Sequence, residues 1–418
     1  MQRLCALIVG LMVAIQMAGA ATNYVDRYGT NPTPNYTNWV TAATSIQDAV
    51  NVAMATPGNT VLVSNGVYDT GWTKTPGFAL TNRVCVTNAI ILRSVNGPNY
   101  TSIKGAPAPN GLVGLEGMGT GAVRCVYLAG GASLIGFTLT NGYAMTNSAG
   151  GSYVEEDMGG VGVFVATSGS VSNCVMVGNY GRCLGGGACL NGGGTLNNCI
   201  ISNNNLSASY GAGVYLVGSS AKMNNCIVVG NHCELNFGSG VCMEGGSEAN
   251  NCLIAGNIGV GTYCGGVFAW GSNIKLNSCT IIGNDSGISE NSKGGGIAWY
   301  QSNASSMTNC IVWGNFGVGS YSNIISANQV SAPTYGYTCS GPVQTGTGNT
   351  DSDPQFVGEA TGNYRLAENS PCVNAGTYQS WMTGAADLDG HQRLDKFSGI
   401  VDIGCYEYVP KGTIVTVP

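Results

Sequence analysis

The chain has 418 residues, enough for two or three ordinary domains, yet Gly fills 66 positions, only 9% of residues are charged and 44% are hydrophobic. That apolar content can bury a large core and excludes a disordered polar chain, while the lack of a strict three-residue Gly period excludes collagen. A net charge of −6 with 15 Lys and Arg leaves no basic footprint for nucleic acid. Asn contributes a further 42 residues, and Gly with Asn suits tight turns between many short strands.

Arg3 precedes an apolar run from Leu4 to Ile15, and Ala18-Gly19-Ala20 offers a small-residue cleavage site. This is the layout of a secretory signal peptide over residues 1–20, with a mature chain from about Ala21. The run is shorter than the roughly 20 apolar residues of a spanning helix, and no later segment reads as one. The expectation is an exported protein, secreted or at the cell surface.

Thr44-Ser45-Ile46-Gln47 reads as a capping box, and Ile46, Ala49, Val50 and Ala53 share one helical face. A short helix there would cover the open end of a core. Strands are expected at Thr60 to Val63, Val84 to Val86, Ile90 to Leu92, Val123 to Leu128 and Leu134 to Leu139, followed by an irregular insertion over 141–160.

From residue 173 a repeat sets in. Asn173-Cys174, Asn198-Cys199, Asn225-Cys226, Asn251-Cys252, Ser278-Cys279 and Asn309-Cys310 recur at intervals of 25, 27, 26, 27 and 31 residues. Five residues after each Cys stands another Asn: Asn179, Asn204, Asn231, Asn257, Asn284 and Asn315. Gly-rich entries such as Gly211-Ala212-Gly213 separate the units. A fixed period of this size marks a solenoid, and short apolar runs without helical periodicity make it a parallel β-helix, right-handed by the usual preference of parallel crossovers. The Asn before each Cys suits a bend in the left-handed conformation, and the Cys faces inward as a small hydrophobe. Zinc ligation fails on pattern, since there is no paired C-x-x-C and there are only two His.

Ser45-Ile46-Gln47-Asp48-Ala49-Val50 and Asn59-Thr60-Val61-Leu62-Val63-Ser64-Asn65-Gly66-Val67-Tyr68 resemble the opening of secreted right-handed β-helix proteins of the pectin lyase-like group. Near the C-terminus, Asp353-Pro354-Gln355-Phe356-Val357, Asn363-Tyr364-Arg365-Leu366, Ser370-Pro371-Cys372-Val373-Asn374-Ala375-Gly376, Asp387-Leu388-Asp389-Gly390 and Val401 to Tyr408 resemble the choice-of-anchor Q domain of bacterial surface proteins. The resemblance implies fold and export, and no fixed activity. The organisation expected is a signal peptide (1–20), an all-β solenoid with its N-terminal cap (21–339), a C-terminal capping region (340–408) and a short tail (409–418).

Polysaccharide hydrolysis needs paired carboxylates, and β-elimination beside a uronate needs a base and a neutralising cation. The regular coils offer Arg182, Lys222, Lys275, Lys293, His232, Glu234, Glu244, Glu248, Asp285 and Glu290, without a recognisable motif. By phase, Arg182 pairs with Glu234 and His232 with Asp285 in one loop stack, a candidate catalytic set that competes with ordinary solvated loop charge. A second stripe, Tyr215, Phe268, Trp270 and Tyr300, would form an exposed aromatic patch for carbohydrate if Leu190, Leu216 and Met243 point inward. Asp387-Leu388-Asp389-Gly390 begins like a calcium loop but lacks the later ligands, so no cofactor is expected. Glu155-Glu156-Asp157 is a second acidic cluster and reads as a turn or solvated loop rather than a metal site. Two functions stay open: a non-catalytic protein binding polysaccharide or a cell-surface component, and a polysaccharide lyase or glycoside hydrolase. Of the cysteines outside the repeat, Cys339 and Cys372 are the favoured disulfide partners, against simple burial of Cys372 and Cys405.

Overall fold

The computed structural model describes residues 19–109, 117–146, 154–182, 184–260, 263–287, 294–317, 323–327, 331–394 and 399–410. The signal segment up to residue 18, Glu290 and Lys293 lie outside them.

Three sheets run along a parallel β-helix. Sheet 1 has eleven strands, from Thr22–Val25 to Thr334–Gly336, all parallel. Sheet 2 has ten, from Gly66–Tyr68 to Cys339–Ser340, and sheet 3 has ten, ending at Ile324–Ala327. In sheet 3 only the short Thr73–Lys74 strand is antiparallel to its neighbour. Side chains alternate across each strand. Val214, Leu216, Val241, Met243, Val267 and Ala269 therefore enter the axial core, along with Val228 and Ile254 of sheet 2.

The repeated Asn-Cys pairs form the bend from sheet 1 to sheet 2. Asn173, Asn198, Asn225, Asn251, Ser278 and Asn309 all have φ between +50° and +55°. Asn reaches this left-handed region at least cost after Gly, which explains its recurrence. The six following cysteines are buried and at most 1% exposed, as the spacing implied.

The second Asn of each unit builds an interior ladder. From Asn179 to Asn284, each Nδ2 donates to the Oδ1 of the Asn one rung on at 2.9 Å. It donates again to a sheet 2 carbonyl, as Asn231 does to Ile201 at 3.0 Å. Each Oδ1 also accepts a backbone N–H, as Asn231 does from Asn204 at 3.0 Å. Every polar atom of the buried amide is thus used. The close stacking beside the ladder explains the glycines that follow it: a Cβ on Gly213 would lie 2.5 Å from Gly240 O and 3.0 Å from Asn231 Nδ2, and one on Gly240 2.6 Å from Gly266 O and 2.9 Å from Asn257 Nδ2.

Helix α1 (Ile46–Ala53) covers the N-terminal end with Ile46, Ala49, Val50 and Ala53 buried, as the periodicity predicts. The capping box does not form. Ser45 makes no side-chain cap bond. Gln47 instead reaches across to the Thr81–Val86 strand, accepting from Cys85 N at 2.7 Å and donating to Cys85 O at 3.1 Å.

The C-terminal region does more than close the far end. It folds back lengthwise along the outer face of sheet 2. Gly404 N bonds Asn309 O at 2.8 Å, Cys405 N bonds Thr280 Oγ1 at 3.2 Å, and Gln379 Nε2 bonds Asn277 Oδ1 at 2.9 Å. Beneath it, Leu253, Ala255, Ile282 and Ile311 are buried against Cys405, Tyr406, Leu366 and Ile403.

Candidate functional site

The outer face of sheet 3 carries two side-chain columns. Strand register stacks Cys189, Tyr215, Cys242, Phe268 and Ala298 in one, and Asn191, Val217, Glu244, Trp270 and Tyr300 in the next. Leu190, Leu216 and Met243 point inward, so the aromatic stripe does face away from the axis. It is not an open patch, however. Tyr215 is 5% exposed and Phe268 1% exposed, while Trp270 and Tyr300 are half-buried. The covering side chains are Tyr210, Phe237 and Tyr263, each just before a Gly-rich entry. Tyr210 stacks on Tyr215 at 5.6 Å and Phe237 on Phe268 at 4.8 Å between ring centroids. Tyr210 and Phe237 stack on each other at 4.7 Å, and Tyr210 lies 6.1 Å from Trp270. Tyr263 and Tyr300 continue the band at 6.4 Å. Offset aromatic pairs at these distances attract beyond their area burial, so the band is a rigid surface with Tyr215 and Phe268 as its floor.

Two carboxylates adjoin it. Glu244 accepts a hydrogen bond from Tyr215 Oη at 2.7 Å, and Glu155 accepts one from Asn191 Nδ2 at 2.7 Å. Burial raises both carboxyls above the usual range. The Asn191 bond opposes the rise in Glu155 and Glu156 adds to it; the Tyr215 bond opposes it in Glu244 and Glu155 adds to it. Glu244 therefore lies within reach of the Glu155 charge. Burial also raises the Tyr215 phenol, helped by Cys242 and Glu244.

Glu155 is delivered by a single helical turn, Glu155–Met158, fixed from below. Buried Arg124 donates through Nη2 to Gly159 O at 2.7 Å and also to Glu156 O, and its guanidinium lies 5.0 Å from the Phe164 ring. Burial lowers the Arg124 pKa to about 10. Asp157 accepts Ala79 N at 2.9 Å and Leu80 N at 2.8 Å. Of the two readings of the acidic run, the structure shows the turn: Asp157 is a buried anchor and Glu155 is turned to the site.

The predicted loop set is arranged in register but does not converge. His232 and Asp285 share a column, separated by Ile258, and so sit two rungs apart. Arg182 and Glu234 follow two residues downstream of the Tyr180 and His232 positions, again two rungs apart. Two rungs are roughly 10 Å. Among the described residues no ion pair or hydrogen bond joins Arg182, His232, Glu234 and Asp285, and Asp285 caps its own turn by accepting Gly287 N at 2.8 Å. Of the other charges, Lys222 pairs with Glu248 at 3.0 Å on sheet 1.

Asp387, Asp389 and His391 bring one ligand atom each within 4.8 Å of the others. Their oxygens are already engaged. Asp387 accepts Asp389 N, His391 N and Glu407 N at 2.7–2.9 Å, and Asp389 is held by Arg365 at 2.5 and 2.6 Å. These bonds make the segment a turn clamp.

No protein-family model and no curated protein sequence matches the chain. Among solved structures the fold is similar to pectate lyase Pel9A, at 16% identity and a TM-score of 0.52, over 93% of this chain and 97% of that one. A rhamnogalacturonan lyase aligns at 12% identity and a TM-score of 0.42 over 91% and 97% of the two chains. XylC in complex with xylose aligns at 9% and 0.43 over 94% and 99%. The first likeness shows the fold, a pectate lyase-like right-handed parallel β-helix. No helix among the described residues is long and apolar enough to cross a membrane.

Proposed function

We propose that the protein is an exported, surface or extracellular β-helix protein that holds a polysaccharide on the outer face of sheet 3. The observation that carries this is the continuous ring band of Tyr210, Phe237, Tyr263, Trp270 and Tyr300. Flat apolar faces on a preorganised floor suit the C–H faces of sugar rings, and the polar edge of Glu155, Asn191 and Glu244 suits their hydroxyls. The polysaccharide-directed names of proteins with similar folds support the substrate class. A second reading rests on Glu155 and Glu244: both are half-buried, the Glu155 charge helps to raise the Glu244 carboxyl, and glycoside hydrolysis uses two carboxyls as acid and base. Export rests on the signal-like segment, and attachment to the surface on the choice-of-anchor Q resemblance.

Affinity electrophoresis of the chain from residue 21, in gels containing neutral and uronate-bearing glycans, tests the first reading. Retardation by at least one glycan is expected, with Trp270→Ala weakening it about tenfold. Free migration in every gel, or equal retardation of the variant, refutes it. New reducing ends that vanish in Glu244→Gln and Glu155→Gln, with binding kept, would establish the hydrolase.

A further inference from the structure

Cys339 opens the last strand of sheet 2 and pairs in register with Ile311, whose side chain faces outward. It is therefore out of phase with the inward cysteine column, where the corresponding position is Thr338. Cys372 belongs to the C-terminal segment that covers this face. Both are 0% exposed and lie in one buried cluster with Leu366 and Ile403, where the Cys339 thiol donates to Ser352 O at 3.2 Å. Cys405, the third cysteine of this region, is buried elsewhere, over Leu253 and Ile282. All fifteen described cysteines are thiols here.

We propose that Cys339 and Cys372 are a disulfide-forming pair that fastens the C-terminal segment to the last coil, and that the inward column stays reduced. The two kinds of contact differ in direction. Successive column cysteines project side by side from stacked rungs, so their Cβ atoms keep the rung separation of ~4.8 Å, beyond the ~3.5–4.5 Å a disulfide spans. Cys339 and Cys372 come from two separate chain segments packed into one buried cluster, so no rung spacing fixes the separation of their Cβ atoms. On oxidation two S–H bonds break and one S–S bond forms. The two hydrogens and two electrons pass to a disulfide-bearing oxidant such as oxidised glutathione, which becomes two thiols. An oxidising compartment supplies such oxidants. The Cys339 contact and burial hold the Cys372 thiol far above its usual pKa. Both partners are 0% exposed once the segment has docked, so an oxidant reaches them while the chain folds.

Refolding the chain from residue 21 in a glutathione redox buffer tests this independently of export and of any glycan. After denaturation with an alkylating agent and no reductant, peptide mapping should show one linked pair, Cys339 with Cys372. Cys405 and the column cysteines should be alkylated. Cys405→Ser should keep the link, and reductant should speed proteolysis between residues 340 and 408 in the parent but not in the Cys339→Ser/Cys372→Ser variant. Alkylation of both partners, a link from either to Cys405, or bonds within the column overturns the proposal.

Discussion

The interior of the regular coils and the C-terminal segment laid against them both bury polar groups and thiols, in opposite ways. Inside, one residue type repeats at one phase, and each Asn satisfies the next over six rungs. Outside, each contact is made once. Asp387 gathers three N–H groups from two stretches of chain, Arg365 clamps Asp389, and Arg393 pairs with Glu407 at 3.0 Å. A repeated contact spreads any loss along the axis, because each unit is stable only on its neighbours. A contact made once confines its loss to the segment it holds. The difference predicts that interior substitutions unfold the coil, and that substitutions in the clamp loosen only its own region.

Cys226→Asp should have the largest effect. The site is 0% exposed, with Cys199 and Cys252 as its axial neighbours, so a carboxylate has no cation to meet. The cost is about 5 kcal/mol or more, read as loss of the cooperative thermal transition. Wild-type melting in this variant would mean that the column does not face the core. Asn231→Ala comes next. It strips partners from Asn204 N, Asn204 Nδ2, Ile201 O and Asn257 Oδ1. At ~1–3 kcal/mol for each buried group left unsatisfied, less what water recovers, about 4 kcal/mol is expected. Hydrogen exchange should rise in several rungs on both sides; a rise limited to one rung would break the contrast drawn above.

This contrast also decides what was legible in the sequence. Period alone gave the coil, because Asn173 and Cys174 recur with their phases intact, and left-handed backbone and burial follow from residue type. Alternation put Leu216 and Met243 on the face opposite Tyr215 and Phe268 but left open which face pointed inward. The covering of Tyr215 and Phe268 did not, although a signal was present: Tyr210, Phe237 and Tyr263 hold one phase, just before the Gly-rich entries. The placement of the C-terminal segment left a fainter trace. Sheet 2 strands under it are apolar on both faces, as in Leu253-Ile254-Ala255, whereas the uncovered Thr138-Leu139-Thr140 is polar outside. The Glu155–Asn191 bond joins residues 36 apart through an insertion with no period, and nothing local in the chain announces it.

Asp387→Ala should cost about 3 kcal/mol, by leaving the N–H groups of Asp389, His391 and Glu407 without their charged acceptor. The loss should appear as early proteolysis between residues 340 and 408, with the coil's main transition almost unmoved. A lowered main transition would mean that the segment and the coil fold as one unit.

The smallest expected effect is a pH dependence of the same clamp. Burial raises the Glu407 carboxyl to about 8, against the opposing charge of Arg393, with Asp402 adding to the rise. Its oxygens accept Asp402 N at 3.1 and 3.3 Å, bonds that the neutral acid keeps in part. A carboxyl with a higher pKa in the folded than in the unfolded chain takes up a proton on folding anywhere between the two values. Stability from this group is therefore greatest at low pH, declines as pH rises from about 4.5 to about 8, and is level above. Glu407→Gln removes the titration while keeping an acceptor for Asp402 N. Between pH 6 and 9 the parent should lose more stability in the C-terminal region than the variant does, and the gap should stop widening above pH 8. Parallel curves would show that the Arg393 pair keeps Glu407 ionised throughout, making the clamp a permanent ion pair that, like the Asn ladder, does not respond to pH.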